Sequence, residues 1–250
     1  MKPYPLCRLG NTLYKHAFWL YFPLYRIYKA VSERTERRLI SQVVKPGQCI
    51  VDIGANIGIY TCLFSKLVGP TGEVHAFEPE HKNFQHLQHL TRHLCNVTLH
   101  QLAIGLSTGQ LTLYCSNELN VDHRTYFTSE MRPSQTVNSI TLDDYIQGKP
   151  VDFIKMDIQG YEYAALQGMQ KTLQRNPSLW MIMELSPYHL QLAGSNQEDV
   201  VRFLQARYFQ IFLIQNSNVV PLPSGGMPCK ETQYHNLVVI PQALNKFTIG

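Results

Sequence analysis

Val51-Asp-Ile-Gly-Ala-Asn-Ile-Gly58 restricts the fold of this chain more than any other segment. The apolar run Cys49 to Val51 leads into it, and Tyr60, Leu63, Phe64 and Leu67 follow at helical spacing. A strand that turns through glycines into a helix leaves unpaired backbone N–H groups pointing outward at the helix start. Gly54 and Gly58 allow the tight turn and the close approach of a ligand to the backbone. Asp52 at the strand tip repels a phosphate and attracts an ammonium or a hydroxyl.

The spacing excludes two common nucleotide sites. A dinucleotide fingerprint requires G-x-G-x-x-G, and counting from Gly54, Asn56 and Ile59 stand where glycines are needed. No Gly-Lys-Ser/Thr follows, which removes a phosphate loop.

Elements alternate along the rest of the chain. After a helix over 31–44, the pattern predicts strand 48–53, helix 57–68, strand 73–77, helix 80–94 and strand 97–104. It then predicts strands at 110–114 and 151–156, with a short helix at 141–146 between them. Helix 161–173, strand 179–184, helix 196–207 and strands 209–215 and 235–240 complete the chain. Ser195-x-x-Glu198 matches a capping box for the helix at 196. Such alternation implies parallel βαβ units in a doubly wound α/β sheet. The Pro221–Pro228 connection is too poor in apolar residues for a crossover helix, so the last strand is expected to enter antiparallel. Residues 116–139 are polar and aperiodic and read as a lid or substrate loop.

With 44% hydrophobic and 16% charged residues the chain is globular, and at 250 residues it accommodates one α/β domain with an extension. The expected division is an N-terminal helical and aromatic extension over 1–46 and a main domain over 47–242. A net charge of +4 comes from scattered residues without a basic stripe, so no nucleic-acid partner is expected. Cysteines 7, 49, 62, 95, 115 and 229 show neither a C-x-x-C pair nor metal-ligand spacing. They imply a reducing cytoplasmic location, and no metal is expected. Ala17–Tyr25 is aromatic but interrupted by Pro23, too short for a membrane span of ~20 residues and without a cleavage site. Two readings of it stand: a cap on the core or on a dimer partner, and a peripheral membrane contact through 16–28 with basic flanks.

Open α/β sheets bind ligands beyond the carboxyl ends of their strands. Those ends are Asp52, Glu78, Ala103 with Ile104, Asp157 and Glu184. Four of the five carry a carboxylate, a costly arrangement unless it serves a cation or a hydroxyl-rich ligand. Glu78, 26 residues past Asp52, stands near the position of a ribose-binding acid. Asp157 and Glu184 belong to neighbouring strands and should face one cleft, where a carboxylate can orient a hydroxyl and take its proton. The alternative makes Asp157 a helix cap and Glu184 its supporting partner. His123 and Arg124 are weaker candidates for substrate contact, open equally to being exposed loop residues. His86, His89 and His93 share a helix face opposite Phe84, Leu87, Leu90 and Leu94 and are expected to project into solvent.

Taken together, these motifs resemble the FkbM-type family of class I, Rossmann-like methyltransferases. The residues that carry the resemblance are Val51–Gly58, Phe77-Glu-Pro79, Ser139–Asp144, Val151–Gly160 and Leu166-Gln-Gly168, in order across 47–190. The resemblance implies a mostly parallel seven-stranded sheet and S-adenosylmethionine (SAM) as methyl donor. It further implies a hydroxyl acceptor on a sugar, glycan or polyketide-like small molecule. By it Asp52, Gly54, Asn56, Gly58 and Glu78 would bind the cofactor; their places at the strand ends add Ala103 to the cofactor site and make Asp157 and Glu184 the catalytic candidates. Gln159 stands where the family more often has Glu, and Tyr161 replaces a usually small residue and would narrow the acceptor pocket. A non-catalytic SAM-binding scaffold subunit is the alternative reading. Oligomeric state is not legible.

Overall fold

A computed structural model of the chain describes residues 5–116, 122–127, 132–231 and 233–243. Three helices come first, α1 (Pro5–His16), α2 (Phe18–Ser32) and α3 (Arg34–Val43). Next are β1 (Cys49–Ile53), α4 (Ile59–Val68), β2 (Glu73–Phe77), α5 (His81–Thr91), β3 (Val97–His100) and β4 (Ala103–Ile104). The middle of the chain forms β5 (Gly109–Tyr114), β6 (Ser134–Ile140), α6 (Leu142–Ile146), β7 (Phe153–Met156), α7 (Glu162–Gln167) and α8 (Gln170–Arg175). Last are β8 (Trp180–Leu185), α9 (Pro187–Leu192), α10 (Gln197–Gln205), β9 (Phe209–Gln215), β10 (Asn218–Pro221) and β11 (His235–Pro241).

The main sheet runs β10-β9-β11-β8-β7-β1-β2-β3. Pairing is parallel from β3 through β8, and β11 enters antiparallel between β8 and β9, as expected for the final strand. Register sets the site. Ile53 lies beside Phe77 and Met156, and Met156 beside Met183. The next residue on each strand, Gly54, Glu78, Asp157 and Glu184, therefore falls on one level at the carboxyl edge.

Alternation along the strands divides the core into two layers. Val51, Ile53, Ile154, Met156, Met181 and Met183 pack with Leu166, Leu173, Val200 and Leu204 of α7, α8 and α10. Ile50, Val74, Phe153, Ile182 and Val238 pack on the other face with Leu39, Ile40, Phe64 and Val68 of α3 and α4. Each such side chain contributes about 1.5–3 kcal/mol when fully buried.

Several sequence expectations are corrected. The stretch 97–104 is two strands. β3 ends at His100, and β4 pairs with β6 in a second sheet ordered β4-β6-β5. β6 occupies the end of the stretch read as the 116–139 loop. Its alternation is hard to see because only Val137 and Ser139 among Ser134–Ser139 turn fully inward. The main sheet has an eighth strand, β10, joined to β9 through Asn216 and Ser217 at φ of 50° and 64°. Two left-handed residues make the tight hairpin turn that suits strand twist. Helix 161–173 breaks at Gly168, where a Cβ would lie 2.0 Å from the Gly105 carbonyl oxygen. The capping box begins one residue late: Asn196 accepts from Asp199 N at 2.9 Å, and Asp199 accepts from Asn196 N at 3.2 Å. Residues 117–121 and 128–131 of the loop lie outside the described residues.

The N-terminal helices pack against the sheet domain. Tyr14, Tyr21 and Ile57 form a small core with Phe18 and Tyr25, and Tyr14 OH donates to Asn83 Oδ1 at 2.7 Å. His86 is not a solvent residue as expected but stacks on Phe18, with ring centroids 3.6 Å apart. His89 and His93 are exposed. Among the described residues no helix is long and apolar enough to cross a membrane.

Candidate active site

The turn after β1 forms one wall of the site. Gly54 and Gly58 adopt φ of +78° and +93°, and Asn56 is left-handed at +51°. Gly54 N and Ala55 N both donate to the Phe77 carbonyl, at 3.0 and 2.9 Å, which fastens the turn to the end of β2. Asn56 N donates to Glu78 Oε2 at 2.8 Å, and Glu80 N donates to Glu78 Oε1 at 2.9 Å. Glu78 is thus anchored by one backbone donor per oxygen, and each oxygen keeps a lone pair for a further donor. Burial pushes its carboxyl up to about 8, against the two backbone hydrogen bonds.

Asp52 lies beneath the turn, 1% exposed. Thr61 Oγ1 of α4 donates to its Oδ2 at 2.7 Å, and among the described residues its buried Oδ1 has no hydrogen-bond partner. Burial raises its carboxyl, with Lys155 opposing. Ala103 stands in β4 of the small sheet and not at the end of a main-sheet strand as expected, and its side chain packs there with Leu113 and Val137.

Asp157 and Glu184 do share one cleft. Gln159 Nε2 bridges them, donating to Asp157 Oδ1 at 3.0 Å and to Glu184 Oε1 at 3.3 Å. Gln159 itself is held at φ of +53°, a strained value for a residue with a side chain. The two carboxyls are driven apart. Burial pushes Asp157 up, but the ammonium groups of Lys155 and Lys29 outweigh it and hold the group below the usual carboxylate range. Burial and then the negative charge on Asp157 push Glu184 up to about 8. Near neutrality one acid is ionised and its neighbour mostly protonated, the division that separates acid–base roles between paired carboxyls.

Lys155 makes this possible. It sits mid-strand in β7, with Nζ 3.6 Å from Asp157 Oδ2 and 4.6 Å from the Tyr60 ring centroid. Lys29 comes from α2 and is paired with Glu33, whose other oxygen accepts from Tyr60 OH at 2.9 Å. The N-terminal cap therefore brings charge to the site as well as covering it.

On the far side of Glu184, three groups converge. His189 of α9 lies 2.6 Å by Nδ1 from Tyr126 OH and 2.8 Å by Nε2 from Tyr234 OH. Beside them Arg124 donates twice to Asp122, at 2.7 and 3.1 Å, and Arg132 donates to the same carboxylate at 2.8 Å. Two guanidinium groups share the Asp122 carboxylate. Arg124 thus belongs to this wall. His123 accepts from Ser116 N at 3.2 Å and braces the loop. Tyr161 lays its ring against Gly105, at the end of β4.

Sequence reasoning missed Lys29, Lys155, Tyr126, His189 and Tyr234. Only Lys155 gave a signal, as a lone cation inside the apolar strand Phe153–Met156. At the other end of β1 and β2, Cys49, Glu73 and His75 bring ligand-type atoms within 4.8 Å of one another. His75 is already engaged there, its Nε2 3.3 Å from Glu73 Oε2 and its Nδ1 2.8 Å from Tyr145 OH.

Comparison with known proteins points to one family. The methyltransferase FkbM domain profile matches residues 52–211. Hexuronic acid methyltransferase AglP of Haloferax volcanii is 26% identical over 184 residues, spanning 72% of this chain and 71% of that protein. The crystal structure of a presumed rRNA-methylase from Clostridium thermocellum superposes with a TM-score of 0.50 at 15% identity, covering 82% of this chain and 93% of that one. This last likeness concerns the fold alone.

Proposed function

The chain belongs to the methyltransferase FkbM family and is a SAM-dependent methyltransferase; we propose that its acceptor is a sugar hydroxyl, with uronic acids the first compounds to test. The observation that carries the reading is the Asp157–Gln159–Glu184 group, a split acid pair level with the glycine turn. The relative named for hexuronic acid methylation supports a sugar acceptor.

The residues present fit the cofactor. Gly54 and Gly58 hold the positive φ that shapes the turn, Glu78 can accept from a ribose diol, and Asp52 Oδ1, with no hydrogen-bond partner among the described residues, suits a buried ammonium or a bridging water. When bound, SAM supplies an electrophilic methyl on a sulfonium. Glu184, held up to about 8, takes the proton of the acceptor hydroxyl. Gln159 fixes the orientation of both carboxyls, and ionised Asp157 orients the hydroxyl. Lys155 balances the charge of Asp157 so that the acids can sit together. Much of the rate comes from holding the acceptor oxygen in line with the methyl carbon.

The test is release of S-adenosylhomocysteine (SAH) from SAM with uronic acids and their glycosides, beside neutral sugars. Turnover with uronic acids is expected. A folded protein that binds SAH but turns over none of these sugars overturns the sugar reading and favours the scaffold.

Glu78 gives a second test. A diol donating to its carboxylate favours the ionised form, so SAH binding near pH 7 should release a proton. Calorimetric titration in two buffers of different ionisation enthalpy would detect it. Affinity should rise as pH climbs toward about 8 and level above it. Glu78→Ala should weaken SAH binding at least about tenfold, since hydrogen bonds to a charged group contribute roughly 1.5–3 kcal/mol each.

A further inference from the structure

α2 has a second face that the site does not use. Tyr21, Tyr25 and Lys29 turn inward, while Trp19, Leu24, Ile27 and Val31 are 74%, 58%, 61% and 73% exposed. Residues 20, 24, 27 and 31 repeat at the spacing of one helix face, so these side chains form a stripe rather than scattered exposures. Scattered apolar residues on a surface are ordinary; a continuous run marks contact with something else.

Charge identifies the partner. The chain holds Lys2, Arg8, Lys15, Arg26 and Lys29 before its first acidic residue, Glu33. Glu33 is bonded to Lys29 and Tyr60, and Glu36 is buried. Lys15, Arg26, Arg34 and Arg38 are exposed around the stripe. The surface thus offers an apolar ridge with Trp19 and Tyr28, a cationic rim and, among the described residues of α1 to α3, no exposed carboxylate.

We infer that α2 docks the protein onto an anionic membrane surface, its outer face entering the headgroup boundary. Fifteen residues interrupted by Pro23 are too few to span a bilayer, so the helix lies in the interface. Amphipathic Trp and Tyr side chains suit that depth, and the basic rim is drawn to acidic lipid. A second copy of the chain fits worse. A two-fold contact through this face would set Arg26 and Arg34 of each copy against the same cations of the other.

The test is co-sedimentation of the full chain with phosphatidylcholine vesicles, and with vesicles containing roughly one third phosphatidylglycerol. Binding should be strong only with the anionic vesicles, fall several-fold at high salt, and shift Trp19 emission to the blue. Leu24→Ser with Ile27→Ser should weaken binding at least tenfold without moving the melting temperature, because both side chains are exposed. A folded wild type left in the supernatant with both vesicle types overturns the inference. So does a concentration-dependent dimer that the same double variant abolishes, without vesicle binding, since that gives the face to a second copy. These readouts need no acceptor and are independent of methyl transfer.

Discussion

Replacing Glu184 with Gln is expected to slow turnover about 10²- to 10⁴-fold, the usual contribution of a general base, while SAH still binds. Gln keeps the size of the side chain and can still meet the Gln159 amide after a flip, so the cleft should hold its shape. The pH profile separates this role from a structural one. Only ionised Glu184 can take a proton, and its carboxyl is held up to about 8. Wild-type turnover should therefore climb from neutral pH toward about 8 and then level, and the variant should lose that rise. Asp157→Asn should move the profile the other way. Removing the negative neighbour takes away the second-largest of the causes that raise Glu184, after burial, so the rise should shift to lower pH. A Glu184→Gln enzyme with unchanged kcat and a raised KM would assign Glu184 to acceptor binding instead.

Gly54→Ala is expected to abolish SAH binding and to destabilise the protein. The new Cβ would sit 2.0 Å from the Asp157 carbonyl oxygen and 3.1 Å from Ile158 Cγ2, at a φ of +78°. Backbone cannot yield as a flexible side-chain tip can, so β1 and β7 must part at the level of the site. Overpacking of this kind costs about 1–3 kcal/mol, and forcing Ala into a left-handed backbone adds ~1 kcal/mol. Gly69→Ala is the control for space. Its φ of +65° and ψ of −171° form a glycine-only conformation with nothing within 4 Å, so a backbone cost of about 1–3 kcal/mol should appear alone, with SAH affinity intact. Thermal melts and calorimetric titration of both variants would measure this, and a Gly54→Ala protein with wild-type affinity would contradict it.

The parallel units were legible because Ile50, Val51 and Ile53 in β1, and Phe153, Ile154 and Met156 in β7, make short apolar runs buried on both faces, each broken by a single charged residue, Asp52 or Lys155. Once those strands have ends, Glu78, Asp157 and Glu184 have places. Ala103 was misplaced because Gln101 and Leu102 intervene between β3 and β4, a bend that keeps the apolar rhythm while changing sheets. β6 was illegible because one of its faces meets solvent. Lys29, His189 and Tyr234 act through partners distant in sequence, and no local pattern records such meetings. The split in acidity between Asp157 and Glu184 was equally hidden, since it arises from two ammonium groups that folding delivers.

The position of α3 sets where this protein can be cut. Leu39, Ile40 and Val44 share one packed layer with Phe64, Val68 and Phe153, and Glu36 sits buried, receiving Asn236 Nδ2 at 3.1 Å. A recombinant chain begun at residue 47 would keep every family motif. It would still bare one wall of the sheet and strip Lys155 and Asp157 of the charges that balance them. Sequence kinship begins at residue 52, but cooperative unfolding should begin and end with a larger body that includes α3. A truncated enzyme that proved inert would report the loss of that wall, and would say nothing against the chemistry of the acids.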